Sequence, residues 1–177
     1  METSGKDDDI HTTPEDMLHP LYGKWVLWAH LPHDTDWSIA SYKKIMTISY
    51  AEDMLMLYAQ LPDILVKNCM LFLMREGIDP IWEDKKNRDG GCFSYKISNK
   101  NVLNVWKELS YVLSGETISN DHKFAQNVNG ITISPKKAFC IIKIWMFDCQ
   151  YQDPHKIQNL AGLTAQGCLF KKHKPEY

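Results

Sequence analysis

With 177 residues, 44% of them hydrophobic, the chain suits one packed domain that buries about 70% of the surface its unfolded form exposes. No run approaches the roughly 18 apolar residues needed to span a bilayer, and Met1 to Asp9 lacks a basic, apolar leader pattern, so a cytoplasmic protein without a membrane span is expected. The formal charge of −2 is uneven: residues 1–18 hold six acids against one base, leaving 19 bases against 16 acids on a body that permits a phosphate-bearing ligand.

Residues 1–18 read as a disordered acidic tail and residues 19–177 as the folded domain. Order is expected from about His19-Pro20-Leu21. Lys24 to His30, aromatic-rich between Gly23 and Pro32, reads as a strand, and Tyr42 to Ile48 as a second. From Ala51 to Leu65 the period changes. Leu55, Tyr58, Leu61 and Leu65 recur three and four residues apart behind Glu52 and Asp53, the pattern of an amphipathic helix that Pro62 ends or kinks. Cys69 to Arg75 is a short apolar run, hence a buried strand, and after Gly90-Gly91 the residues from Cys92 to Ser98 alternate as a strand does. Asn101 to Leu113 predicts a second helix with Val102, Val105, Trp106, Leu109, Val112 and Leu113 on one face and Gly115 as its stop. A turn-rich stretch leads to Gly130–Ser134, then Pro135-Lys136-Lys137, then a strand from Phe139 to Phe147, which together make a hairpin. Asp153 to Leu163 suggests a short third helix and Cys168 to Lys171 a last strand. No internal repeat is visible, and the class is α+β with one mainly antiparallel sheet.

The five cysteines form an odd set without a CxxC pair and the seven histidines show no HExxH spacing, so neither a disulfide framework nor a metal site is expected. The informative stretch is Asp79-Pro80-Ile81-Trp82-Glu83-Asp84-Lys85-Lys86-Asn87. It sets an indole beside a carboxylate in a polar loop. Trp37, in His33-Asp34-Thr35-Asp36-Trp37-Ser38, is a second tryptophan in polar surroundings. Packing into the core is the alternative for either ring, but the polar flanks favour loops. An aromatic face stacks on a base for about 1–3 kcal/mol, and a cationic ring adds about 0.5–2 kcal/mol once desolvated. A carboxylate accepts paired hydrogen bonds from guanine's ring N–H and exocyclic amine, donors that adenine does not present together. Trp37, Trp82 and Glu83 therefore describe a pocket for 7-methylguanine.

His19-Pro20-Leu21 with Trp25 and Trp28, then Trp37, Glu52-Asp53, the Pro80–Asn87 block with Gly90-Gly91, Trp106 with Gly115-Glu116, and Ile144-Trp145 resemble the eukaryotic translation initiation factor 4E family, the messenger RNA cap-binding proteins. The resemblance runs in order from about His19 to Cys149. It implies a single curved antiparallel sheet of about eight strands with about three helices on the convex face and the cap in the concave front. It implies that Trp37 and Trp82 sandwich the methylguanine, that Glu83 holds its edge, and that Trp145 sits against the methyl group. Lys136 and Lys137 are left for the phosphates. The implied activity is binding of 5′-capped mRNA in translation initiation, by a monomer without catalysis, cofactor or metal. A scaffold of the initiation factor 4G type, or a 4E-binding repressor peptide, is expected on the convex face at His19, Pro20, Ala51, Leu55, Lys107, Glu108, Tyr111 and Gly115.

Several positions depart from the family pattern. Lys136 stands where an arginine is usual, Ile141 where a lysine is usual and Cys92 where another arginine is usual, so weak phosphate binding with a shallow salt dependence is expected. Leu55 replaces the tryptophan on which partner helices dock, and Lys107 and Tyr111 replace leucines. That change favours the alternative of a cap-binding repressor or specialised homologue that does not recruit the usual scaffold. After Cys149 the chain is shorter than the pattern and carries the basic cluster Lys171-Lys172-His173-Lys174. A cap hydrolase would need carboxylate clusters or catalytic histidine motifs that do not occur.

Overall fold

The computed structural model describes residues 17–177, so the acidic tail expected over 1–18 lies, apart from its last two residues, outside the described residues. Seven strands form one sheet: β1 (Pro20–His30), β2 (Lys43–Tyr50), β3 (Met70–Arg75), β4 (Gly91–Ser98), β5 (Val128–Pro135), β6 (Phe139–Met146) and β7 (Cys168–Lys172). Their order is β2-β1-β3-β5-β6-β4-β7, and every neighbouring pair is antiparallel. Four helices accompany them: α1 (Ala51–Gln60), α2 (Asp63–Asn68), α3 (Val102–Ser114) and α4 (His122–Asn127). The α+β class with one antiparallel sheet is as expected. Among the described residues the sheet has seven strands, and the α-helices number four.

Strand alternation divides the molecule into two faces. Trp25, Leu27 and Ala29 of β1, Leu71 and Leu73 of β3, and Ile142, Ile144 and Met146 of β6 point into the main core under the helices. Phe72, Met74, Cys92 and Trp145 point the other way into a smaller cluster, with Trp28, Tyr42 and Trp82 packed against it. A period of two makes both faces from the same strands.

The first helix turns differently from its sequence pattern. Met54 and Leu57 are buried, whereas Leu55 is 59% exposed and Leu65 is exposed as well. Of the stripe expected from Leu55, Tyr58, Leu61 and Leu65, Tyr58 and Leu61 pack against the core, whereas Leu55 and Leu65 do not. The Asp53 carboxylate accepts the backbone N–H groups of Ser49 and Tyr50, at 2.8 and 3.0 Å, which fixes the rotation of α1 where it leaves β2. Pro62 then separates α1 from α2, whose buried residue is Val66. In α3 the expected face is buried, with Trp106 and Leu109 fully enclosed. The turn-rich stretch hides α4, where the Asp121 carboxylate accepts the N–H groups of Lys123 and Phe124 and Phe124 enters the core. Asp153 to Leu163 forms no α-helix. Asp153 caps a single 3-10 turn, Pro154–Lys156, and Gly162 sits at φ +92°, a left-handed conformation that a continuing helix does not accommodate.

One ion pair ties the sheet to the end of α3. Arg75 donates to Glu116 at 2.8 Å and to the backbone carbonyls of Val128 and Ala125, and its guanidinium lies 4.5 Å from the Trp25 ring centroid. Glu116 has φ +55°, an uncommon conformation for a residue with a Cβ, and its two-pronged pairing with Arg75 holds it there.

Candidate functional site

On the concave face a cleft of about 520 Å³ is lined by Trp37, Trp82, Glu83 and Trp145, together with Tyr42 and Lys143. Its floor is strand: Phe72 from β3, Thr132 from β5 and Trp145 from β6, whose indole N–H donates to the Thr132 hydroxyl at 3.2 Å. Its walls are two loops, each held by its own acids.

The Trp37 loop, between β1 and β2, is built from Asx turns. The Asp34 carboxylate accepts the Asp36 N–H at 3.0 Å, and the Asp36 carboxylate accepts both the N–H and the hydroxyl of Ser38 at 2.8 and 3.0 Å. The Ser38 N–H favours the ionised form and holds the Asp36 carboxyl below its ordinary range. His30, buried at the end of β1, donates from Nε2 to the Asp36 carbonyl at 2.8 Å. Its ring lies parallel to Trp37 at 4.2 Å and 2°. One indole face is thus backed by imidazole while Trp37 remains 54% exposed, with its other face free for the cleft.

In the Trp82 loop, the two adjacent acids separate in role. Asp84 is internal, accepting the N–H groups of Asp79 and Lys86 at 2.9 and 2.7 Å. Asn87, fully buried, donates to the carbonyls of Asp79 and Ile81 and accepts from Asn129 of β5. Gly90 closes the loop, because a Cβ there would collide with the Met146 carbonyl oxygen. Asp84 and Asn87 fix the backbone, and Glu83 is left to face the cleft. Trp82 is half-buried against the second cluster.

The segment after β7 completes this wall. The ring of His173, 7% exposed, lies 5.5 Å from Trp82 at 14° and 4.9 Å from Trp145. Its Nδ1 is 2.7 Å from the Asn87 carbonyl, so that nitrogen carries the proton, and the buried Nε2 meets no hydrogen-bond partner. Burial pushes its pKa below the ordinary histidine value. Three residues on, the Glu176 N–H donates to the Glu83 carboxylate at 3.1 Å, and Arg88 donates to the Tyr177 carbonyl at 3.2 Å. Glu176 and Tyr177 line the cleft.

The remaining expected residues fall into two groups. Lys136 and Lys137 stand exposed on the β5–β6 turn, where the Lys136 N–H donates to the Phe139 carbonyl at 2.7 Å, and neither lines the cleft. The expected partner residues gather on the helical side. The Ala51 N–H donates to the His19 carbonyl at 2.9 Å and the His19 ring meets Glu52 at 2.6 Å. Tyr58 of α1 packs edge-on against Tyr111 of α3 at 5.6 Å, and Lys107 lies 5.8 Å from the Tyr111 ring. Leu55 projects from α1. In a larger depression of about 770 Å³, lined by Asp121, His155 and Lys156, the polar groups already have partners: Lys156 pairs with Asp121 at 3.4 Å and the His155 ring meets the Asp153 carboxylate at 2.9 Å. It presents far less unmet chemistry than the tryptophan cleft.

The family model described as eukaryotic initiation factor 4E matches residues 20–174. The chain belongs to the initiation factor 4E family. An initiation factor 4E homologue of Acanthamoeba polyphaga mimivirus is 40% identical over 62 residues, 35% of this chain and 23% of that protein. Initiation factor 4E of Candida albicans is 30% identical over 141 residues, 74% of this chain and 66% of that protein. Both matches therefore span less than the whole length of these relatives. Among solved structures, Caenorhabditis elegans eIF4E-3 in complex with the 4E-binding protein Mextli and cap analogue has the same fold, with a TM-score of 0.68 at 23% identity over 77% of this chain and 78% of that one.

Within this initiation factor 4E fold, sequence reasoning missed His30, His173 and Lys143. Histidines in mixed stretches give no periodic signal. Lys143 had one, since it lies two residues from Trp145 on the same strand and so shares its face.

Proposed function

We propose that this chain binds the 7-methylguanosine cap of mRNA in the cleft between Trp37 and Trp82 and acts in translation initiation. What carries the reading is the convergence of two loop indoles, a carboxylate freed by its neighbours' structural roles, and Trp145 on one cleft. The cationic base stacks between the indoles, Glu83 accepts its ring N–H and exocyclic amine, and Trp145 meets the methyl group. Each step is recognition, so the reading is of a binding protein, placed in the cytoplasm. Among the described residues, no helix is long and apolar enough to cross a membrane. On the helical side, His19, Pro20, Ala51, Leu55, Lys107, Glu108, Tyr111 and Gly115 form the docking surface for a scaffold of the 4G type or a 4E-binding peptide. The exposed leucine at 55 favours a second reading, a cap-binding repressor or specialised homologue that engages a partner with an altered motif.

Titration of the protein with 7-methylguanosine and guanosine nucleotides, followed by tryptophan fluorescence, tests the primary reading. Preference for the methylated base, lost in Trp82→Ala, is expected, together with weaker binding of the methylated base in Glu83→Ala. Equal affinity for both bases, or undiminished binding in Glu83→Ala, would refute it. Capture on cap resin with a probe for the scaffold separates the two readings.

A further inference from the structure

Lys143 is the one cation among the residues lining the cleft. On β6, Ile142, Ile144 and Met146 enter the main core, so Ile141, Lys143 and Trp145 share the opposite, concave face. Lys143 stands two residues from Trp145, about 7 Å along the strand. In register beside it are two hydroxyl residues, Ser94 on β4 and Thr132 on β5. Its ammonium reaches to 5.8 Å from the Trp82 ring centroid. Among the described residues it has no carboxylate within ion-pair distance.

A lysine on an aromatic floor without a counter-ion is electrostatically incomplete. Glu83, which also lines the cleft, is the counter-charge of a cationic base, so Lys143 keeps no partner when that base alone is bound. A ligand joining that base to an anion resolves it, provided the anion falls on the Lys143 side and the base on the Glu83 side. Lys136 and Lys137, on the exposed turn, lie outside the lining, and Ile141 offers no charge. We propose that Lys143 binds the phosphate closest to the cap nucleoside, so that the main phosphate contact of this chain lies deep in the cleft rather than at the β5–β6 turn. The assignment rests on the cap reading above. It refines the phosphate deficit expected from Ile141 and Cys92: charge has moved two residues along β6, towards the base.

The test compares 7-methylguanosine, its 5′-monophosphate and its 5′-triphosphate by tryptophan quenching. The proteins are the full chain, Lys143→Ala, Lys143→Arg and the double variant Lys136→Ala/Lys137→Ala, each checked for folding by circular dichroism. The full chain is expected to favour the monophosphate over the nucleoside by about tenfold, the strength of one charge-assisted contact. Lys143→Ala should erase that preference and lower the salt slope of monophosphate binding by about one. Lys143→Arg should keep it, and the double variant should change only the further gain from mono- to triphosphate. Retention of the monophosphate preference in Lys143→Ala, or its loss in the double variant, overturns the assignment while leaving the cap reading standing. Failure of the nucleoside and both nucleotides to quench the full chain would sink the cap reading and this assignment together.

Discussion

The two faces of the sheet are made from the same strands and spend their aromatic residues differently. Beneath the helices, Trp25 and Trp106 are wholly enclosed and close-packed. On the concave side, Trp37 and Trp82 keep surface uncovered, and each is backed by an imidazole, His30 for one and His173 for the other. The covered rings hold the fold together. The uncovered rings are held in place by the fold and remain available to a ligand. A tryptophan's role here follows from what stands behind it.

The largest effect that would break this contrast comes from removing one ring on each side. Trp106→Ala should cost about 3–5 kcal/mol of stability, the usual range for a buried large aromatic, measurable as a lowered urea midpoint. Trp82→Ala should leave that midpoint nearly unchanged and weaken cap binding about 30-fold or more, from the lost stacking and cation–π energy. If Trp82→Ala unfolds the chain, the ring is structural and the division between faces fails.

On the helical side, Leu55 is exposed, within the docking surface proposed above for a partner helix. Leu55→Trp should tighten binding of a 4E-binding peptide by about 2 kcal/mol, the size of an interface hot spot, and leave cap affinity unchanged. Isothermal titration with the peptide and with a cap analogue checks both halves. Unimproved peptide binding would indicate that the docking surface has diverged beyond this single position.

The Glu176 N–H occupies one lone pair of the Glu83 carboxylate. Deleting Lys174–Tyr177 should free that acceptor and strengthen cap binding several-fold, in keeping with about 1 kcal/mol for one hydrogen bond. Weaker binding in the deletion would show instead that these residues help form the wall.

The smallest effect concerns acid. Burial lowers the pKa of His173, so the unfolded chain takes up this proton first as the pH drops below about 6.5. The contribution of His173 is therefore complete above that pH and is lost as the pH falls through the folded value. Melting temperatures between pH 7.5 and 5.5 should decline in the full chain and decline less in His173→Gln. Glu52, held at about 2 by its hydrogen bonds to His19, retains its charge throughout that window.

The family and the strands could be read from the sequence because their signals are local. The aromatic-rich run of β1, the alternation of β4, the apolar run of β6 and the Trp82-Glu83 block need no knowledge of distant contacts. The helix α3 was legible for the same reason, its apolar stripe being long and single. In α1 two apolar stripes overlap, and its rotation was set by the Asp53 cap and by packing on β2, so that Met54 and Leu57 are buried with Tyr58 and Leu61 packed beside them, while Leu55 and Leu65 are exposed.

The site divides along the same line. The order of residues was enough to propose two indoles and an acid, since stacking and paired hydrogen bonding are properties of residue types. Which of Glu83 and Asp84 faces the cleft was decided by the loop's closure on Asp84 and Asn87. The placing of Lys143 rather than Lys136 or Lys137 in the cleft was decided by strand register. His173, 86 positions beyond its partner Asn87, enters the Trp82 wall only because β7 pairs with β4 at the sheet edge. The chemistry on offer resides in the side chains themselves. Which groups meet, and which remain free for a ligand, depends on contacts between residues far apart in the chain, and these exist only once the sheet has formed.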